Sequence, residues 1–438
     1  MFNTIRNAWR IPDLRKKLLY TLLIIIVFRF GSVIPAPFLD AAALSELMAN
    51  AGQNSALGYI NMLTGGAFSY ASLFAMGITP YINSSIIMQL LTIAIPPLER
   101  LAKEGEEGRK KIATITRYVT VVLGLIQGVA YYFYLRTNGI VTYTDGFAGV
   151  FVAVVIVLTF TAGTALIMWM GEQINEKGVG NGISIILFAG IVARLPVTFG
   201  TVWQYMQLGM ESAATSGQYL VLAPLFIVLF LIVIWVIVFM NESERRIPVQ
   251  YAKKVVGRKM YGGQSTHLPM KVNMSGVLPI IFAQSIASLP ATICAFVPKW
   301  QNGWVMKHIF DTTTWPYIVI YFLLIIFFSY FYSTIQFNPI EVANNLKKNG
   351  GFIPGFRAGK PTSEFIQKVL NKITLFGAIY LSVIAITPLI VSACSKAEQL
   401  TGISLGGTSI IIVVGVALET VRALEAQMLM RNYKGFLN

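Results

Sequence analysis

Charge is scarce in this chain. Of its 438 residues, 12% are Asp, Glu, Lys or Arg, against roughly 25% in an average soluble domain. That leaves too little polar surface to wrap a soluble fold of such length. Acid is scarcer than base, with 19 Asp and Glu against 34 Lys and Arg and a formal net charge of +15. Cysteine is nearly missing: Cys294 and Cys394 alone make neither a disulfide framework nor a metal site. Both fall late in apolar runs, where buried free thiols are expected. Histidine is limited to His267 and His308, and no His-Glu-x-x-His string, nucleophile elbow or Walker loop appears. These gaps argue against a soluble enzyme, a zinc protein and a disulfide-stapled secreted domain. What is plentiful is apolar: 55% of residues are hydrophobic, which excludes disorder. The composition describes an integral membrane protein whose positive charge is gathered in a few places.

A helix crosses about 30 Å of hydrocarbon with about 20 mostly apolar residues. The gaps between charges supply ten such runs, at 18–34, 75–95, 118–135, 149–170, 182–197, 219–240, 277–297, 315–336, 373–395 and 406–418. The last is short and is expected to continue past Glu419. The runs are too long for barrel strands and lack alternation, so helix is the expected state. Lys and Arg collect on the cytoplasmic side of a membrane protein. With the N-terminus inside, 28 of the 34 basic residues fall in inside segments. Outside stand Arg136, Arg194, Lys299, Lys307 and Lys396, while Arg29 lies within the first run. Both termini are therefore expected in the cytoplasm, and the richest cytoplasmic loops are 241–271 and 341–372. The basic residues before the first run lead to no cleavage-like end, so that run is expected to be retained.

Between Glu46 and Glu99 there is no charge at all, too long a stretch for one span and awkward for two. Residues 58–72 within it are rich in small side chains and suggest a re-entrant segment sheltered by protein or by a water-filled cavity. The alternative is a loop on the outer surface. An inverted repeat of five spans per half is also legible. Gly77-Ile78-Thr79-Pro80-Tyr81-Ile82 in the second span matches Gly276-Val277-Leu278-Pro279-Ile280-Ile281 in the seventh. Residues 182–187 in the fifth match 407–412 in the tenth, which sets Ile82 opposite Ile281 and Leu187 opposite Ile412. Paired, Gly/Pro-interrupted helices point to a central pathway.

The span interiors hold no acid, which weighs against an ion-coupled transporter. Arg29 and Arg194 either snorkel from helix ends or carry function. Residues 178–182 imitate a phosphate loop but lack a preceding strand, and are read as a flexible start to the fifth span. In loop 241–271 the alternation of Ile247, Val249 and Tyr251 predicts a projecting hairpin. Its basic residues, Arg245, Arg246, Lys253, Lys254, Arg258 and Lys259, serve either topology and anionic lipid or an acidic partner such as ribosomal RNA.

Several strings carry a more specific resemblance. Residues 264–274 (Gln-Ser-Thr-His-Leu-Pro-Met-Lys-Val-Asn-Met), 77–91, 103–109, 178–184, Asn338-Pro339 and Pro354-Gly355-Phe356-Arg357 resemble the SecY family of bacterial protein-conducting channels. They do so in order and across nearly the whole chain. The resemblance implies an all-α polytopic membrane protein with ten transmembrane helices. These form two inverted five-helix halves, 1–198 and 199–438, around an hourglass pore in the bacterial plasma membrane. The waist would be Ile78, Ile82, Ile183, Leu187, Ile281 and Ile412, a ring that closes by dispersion contacts and dewetting. Residues 58–72, with Gly65, Gly66, Ala67, Phe68, Ser69 and Tyr70 at their centre, would be the short plug helix. Its small side chains would let it leave without tearing a packed core. Spans two and three would face seven and eight as a lateral gate, with Asn83, Gln127, Ser285 and Leu289 at the seam. Leu289 departs from the polar residue often found there.

The two basic loops, with Arg357 in the second, would dock the ribosome and the SecA motor ATPase. SecE and SecG-like subunits, signal sequences, nascent polypeptides and membrane lipids complete the implied partners. No catalytic, metal-binding or cofactor-binding residue is expected; the energy would come from translation or from the motor. The reading from another class is a small-solute transporter of the ten-span, inverted-repeat type.

Overall fold

A computed structural model describes residues 2–51, 61, 64–211, 218–251, 254–256, 259–261, 265–274, 276–296, 308–309, 314–394 and 407–434. In the first half the helices are α1 (Phe2–Arg10), α2 (Pro12–Gly31), α3 (Ala41–Ala51), α4 (Thr79–Ala94), α5 (Pro96–Lys103), α6 (Glu106–Thr137), α7 (Gly146–Lys177) and α8 (Gly182–Val192). There follow α9 (Leu195–Glu211), α10 (Gln218–Glu242), strands β1 (Glu244–Tyr251), β2 (Lys254–Val256), β3 (Lys259–Tyr261) and β4 (Ser265–Lys271), and α11 (Leu278–Phe296). The chain continues through α12 (Trp315–Gln336), α13 (Pro339–Lys348), β5 (Gly351–Phe352), α14 (Lys360–Cys394) and α15 (Gly407–Lys434).

Among the described residues, each of the ten apolar runs falls mainly on helix, the fifth divided between α8 and α9. Among the described residues, seven helices are long and apolar enough to cross a membrane, or eight if the bent pair α4 and α5 counts as one span. That pair turns by 101°, because Ile95 is extended ahead of Pro96 and Pro97. α2 falls outside that count because Asp13, Arg15, Lys16, Lys17 and Arg29 leave no long uncharged window in its 20 residues. The fifth run grows into a longer stretch, Gly182–Met210, and the tenth continues to Met430. Phe147, Trp235 and Phe239 point outward with large exposed rings. Such an inside-out surface is stable where lipid is the solvent.

The repeat shows in the backbone itself. Gly77 and Gly276, each two residues ahead of a helix, both sit at positive φ, +56° and +64°, where a side chain is strained. Gly182 and Gly407 open α8 and α15 pressed against the helix before them. A Cβ would stand 2.0 Å from the Gly171 carbonyl oxygen in one case and 2.1 Å from that of Ile384 in the other. This corrects the expectation of a flexible start at 178–182. Asn181 Oδ1 accepts from the Ile183 and Ser184 amides, and the Gly182 amide donates to Asn175 Oδ1 at 2.8 Å. The glycines permit close packing rather than slack.

The projecting hairpin is present. β1 and β4 pair antiparallel from Glu244↔Lys271 to Gln250↔Ser265, β5 adds to β1, and the short β2–β3 ladder continues the excursion. The inward residues Ile247 and Val249 meet Met270, Leu346, Ile353, Ile366 and Leu370 in a small separate core. The sheet is thus seated on α13 and the start of α14.

Candidate functional site

Four helices bring the residues expected to form the ring together. Ile78 and Ile82 come from the start of α4, Leu187 from α8, Ile281 from α11 and Ile412 from α15. All are buried in one hydrophobic cluster, with Ile183 half-buried against it. α4 packs on α11 and α8 on α15, so each contact joins repeat partners from opposite halves. The grouped side chains are aliphatic and offer water no hydrogen bond, which favours a dry constriction.

The segment before α4 differs from expectation in two ways. Asn61 is helical, but residues 64–71 form successive turns. Gly65, Gly66 and Ala71 all have positive φ, which a right-handed helix cannot accommodate. The segment closes on itself: Asn61 Oδ1 accepts from the Ser69 amide, and Thr64 Oγ1 accepts from the Phe68 amide. It is also not lightly held. Phe68 is buried, stacked on Tyr131 with ring centroids 4.5 Å apart, and the Tyr131 hydroxyl donates to the Phe68 carbonyl at 3.1 Å. Arg29 turns inward from α2 and donates to the Gly65 carbonyl at 3.2 Å. The Ala36 amide donates to the Ala71 carbonyl at 2.8 Å. Ala67 belongs to the ring cluster and Phe68 to a second core built from Tyr131, Tyr134 and Phe160. Departure of this segment must therefore break a stacked aromatic contact, contrary to the reading of a loosely packed plug. Gly66, Ser69 and Tyr70 lie nearer the surface, Tyr70 exposed.

At the seam, α4 and α6 pack against α11. Asn83 on α4 and Gln127 on α6 are half-buried, Ser285 on α11 is buried, and Leu289 is exposed. One side-chain hydrogen bond across this seam joins a pair that sequence reasoning missed: Tyr332 on α12 donates to Gln89 Oε1 on α4. Gln89 sits at helical spacing from Ile82 and Ile86, and that amide on an otherwise apolar face was the available signal.

On the basic face, Arg245, Arg246 and Arg357 are all exposed. Arg246 pairs with Glu244 at 2.7 Å. Arg357 stands on an ordered loop: its carbonyl accepts from Thr362 Oγ1 at 2.7 Å, and the neighbouring Phe356 stacks on Phe365 at 4.2 Å. Lys254 and Lys259 are on β2 and β3, but their side chains, like the whole of Lys253 and Arg258, lie outside the described residues. The base of the hairpin is fixed by polar bonds. Asn273 donates to Asn241 Oδ1 at 2.8 Å, and Arg422 donates to the Asn241 carbonyl at 2.9 Å. Burial lowers the pKa of Lys271 beside this knot, and the charge of Arg422 adds to the effect.

The SecY family profile matches residues 72–421. The protein translocase subunit SecY of Streptomyces coelicolor is 45% identical over 448 aligned positions, which take in 100% of both chains. Among solved structures, a SecY whose plug domain stabilises the closed state of the translocation channel superposes with a TM-score of 0.62 at 16% identity, over 97% of each chain. Sec61 in the canine ribosome–channel complex from the endoplasmic reticulum gives 0.60 at 14% identity, again over 97% of each. At those identities the structures speak for the fold alone. The sequence match reaches further: this multi-pass membrane protein belongs to the SecY family.

Proposed function

We propose that the protein is the channel subunit of a bacterial Sec translocase. It would pass unfolded polypeptides through its centre and release apolar segments sideways into lipid. The observation that carries this reading is the aliphatic cluster assembled from both repeats, with Ile82 and Leu187 from one half and Ile281 and Ile412 from the other. Residues 1–198 and 199–438 act as the two halves, which part at the seam of α4 and α6 against α11 and α12. The ring yields to a passing chain because its contacts are non-directional dispersion contacts. The segment containing residues 65–70 seals the pore from the other side, as the plug domain does in the SecY structure above. The channel hydrolyses nothing itself.

The exposed Arg357 and the basic hairpin dock SecA or the ribosome from the cytoplasm, where both termini lie in the plasma-membrane orientation; the Sec61 relative is itself part of a ribosome–channel complex. SecE and a SecG-like subunit flank the halves. A crosslinking scan tests the pathway: cysteine placed at Ile82, Ile183, Ile281 and Ile412 is probed against a stalled secretory chain. All four positions are expected to reach the chain while outward-facing Trp235 is not. Labelling of the outward control alone would dismiss the pathway.

A further inference from the structure

One group of buried side chains belongs to neither the constriction nor the seam. Ala8 on α1, Leu14 on α2, Val179 in the loop between α7 and α8, and Leu424 on α15 form a small core of their own. The first three come from one half and Leu424 from the other. Two polar bonds accompany this core: Thr4 Oγ1 donates to Glu425 Oε1 at 3.0 Å, and Lys17 Nζ donates to Gln427 Oε1 at 3.4 Å. Val179 is its knob, 1% exposed, and the Val179 amide donates to Thr21 Oγ1 on α2 at 3.2 Å. The flanking glycines let the loop come close to both halves. A Cβ on Gly178 would stand 2.6 Å from Thr21 Oγ1, and one on Gly180 3.3 Å from Thr420 Oγ1 on α15. α15 is tied to its own half as well, because Arg422 donates to the Asn241 carbonyl at the end of α10.

We infer that this clasp of α1, α2 and the 178–181 loop around α15 is the axis on which the halves turn when the seam parts. The inference rests on the channel reading above. Two bodies that touch along two edges open one edge by turning about the other. The seam is built from α4, α6, α11 and α12, and the clasp uses none of them. Short side chains interlock there close to the backbone, so a small rotation displaces them little. Their dispersion contacts are non-directional and survive such a turn. Separation is different, because drawing Leu424 away from Val179 would open a void in a packed core. The clasp therefore permits turning and resists parting. It also gives the string 178–182 a purpose, since its glycines admit a loop between α2 and α15. Opening of the waist is then uneven: α4 and α11 draw apart while α8 and α15 stay together beside the axis.

The experiment uses vesicles carrying the full assembled translocase, with Cys294 and Cys394 replaced by alanine. Thr4→Cys with Glu425→Cys is oxidised to a disulfide across the clasp. Nitroxides coupled to ketone-bearing residues at the exposed Thr114 on α6 and Thr334 on α12 report the seam by pulsed electron spin resonance. With the disulfide closed, a stalled secretory chain is expected to lengthen the distance between the labels as far as it does in the reduced protein. Export should run at the same rate in both. Loss of the lengthening or of export on oxidation, restored by reductant, would overturn the proposal. A second variant asks whether the clasp bears load. Val179→Ala trims the knob and is expected to broaden the label distance distribution at rest and to raise the resting ion leak severalfold. An unchanged distribution with an unchanged leak would likewise overturn the axis. A reduced protein that exports no precursor would instead strike the channel reading itself.

Discussion

At the residue scale, the decisive observations concern side chains whose surroundings contradict their apparent role. Gly65 to Tyr70 reads as a run of small, loosely packed residues, yet Phe68 within it is anchored by a stack and a carbonyl bond, both made by Tyr131. Tyr131→Phe removes the hydroxyl and keeps the ring. Loss of one buried hydrogen bond should speed amide exchange of residues 64–72 by roughly two- to tenfold. Exchange at an unchanged rate would show that the stack alone holds the segment. Arg29, read from the sequence as either a snorkelling or a functional charge, turns toward protein and holds the Gly65 carbonyl. A linear reading misses such contacts because their partners are distant: Gln89 and Tyr332 are separated by 243 positions.

At the element scale, much of the fold was legible. Helical runs announce themselves because uncharged stretches of that length have one stable form in lipid. The hairpin at 244–271 was visible because Ile247, Val249 and Tyr251 recur at every second position, and the first two prove buried. The shape of 64–71 was not legible. Composition cannot foretell that Ala71, a residue with good helix propensity, adopts φ 46°; its contacts impose that conformation. The same limit explains the misread Gly182, whose purpose is the nearness of α7 rather than freedom. The small core beneath the sheet invites a test. Met270 is fully buried there, and Met270→Ala should cost the lobe about 2–5 kcal/mol. Limited proteolysis should then cut within 241–271 sooner, with the spans left intact. Equal cutting of both proteins would mean that the strand pairing alone supports the lobe.

At the scale of the whole molecule, charge is the organising variable. In the orientation proposed above, the excess of +15 gathers on the cytoplasmic side, and the interior of the membrane-spanning body is left nearly neutral. Arg357 projects from a loop braced by the Phe356–Phe365 stack, so its position is fixed before any partner arrives. Arg357→Glu is expected to abolish binding of the motor or the ribosome while the assembled subunits still purify together. Cosedimentation with each partner measures this directly, and retained binding to both would remove Arg357 from the docking surface.

The adjacency of Ala67 and Phe68 has a mechanical consequence. These two side chains are rooted in different cores, one shared with the constriction and one with the outer aromatic group. A peptide unit barely stretches, so neither root can be displaced far while the other stays in place. In the proposed channel, dilation of the waist and lifting of the cap are therefore expected to be coupled, as with the two arms of a beam balance. A channel built this way is expected to disturb both barriers whenever either one opens.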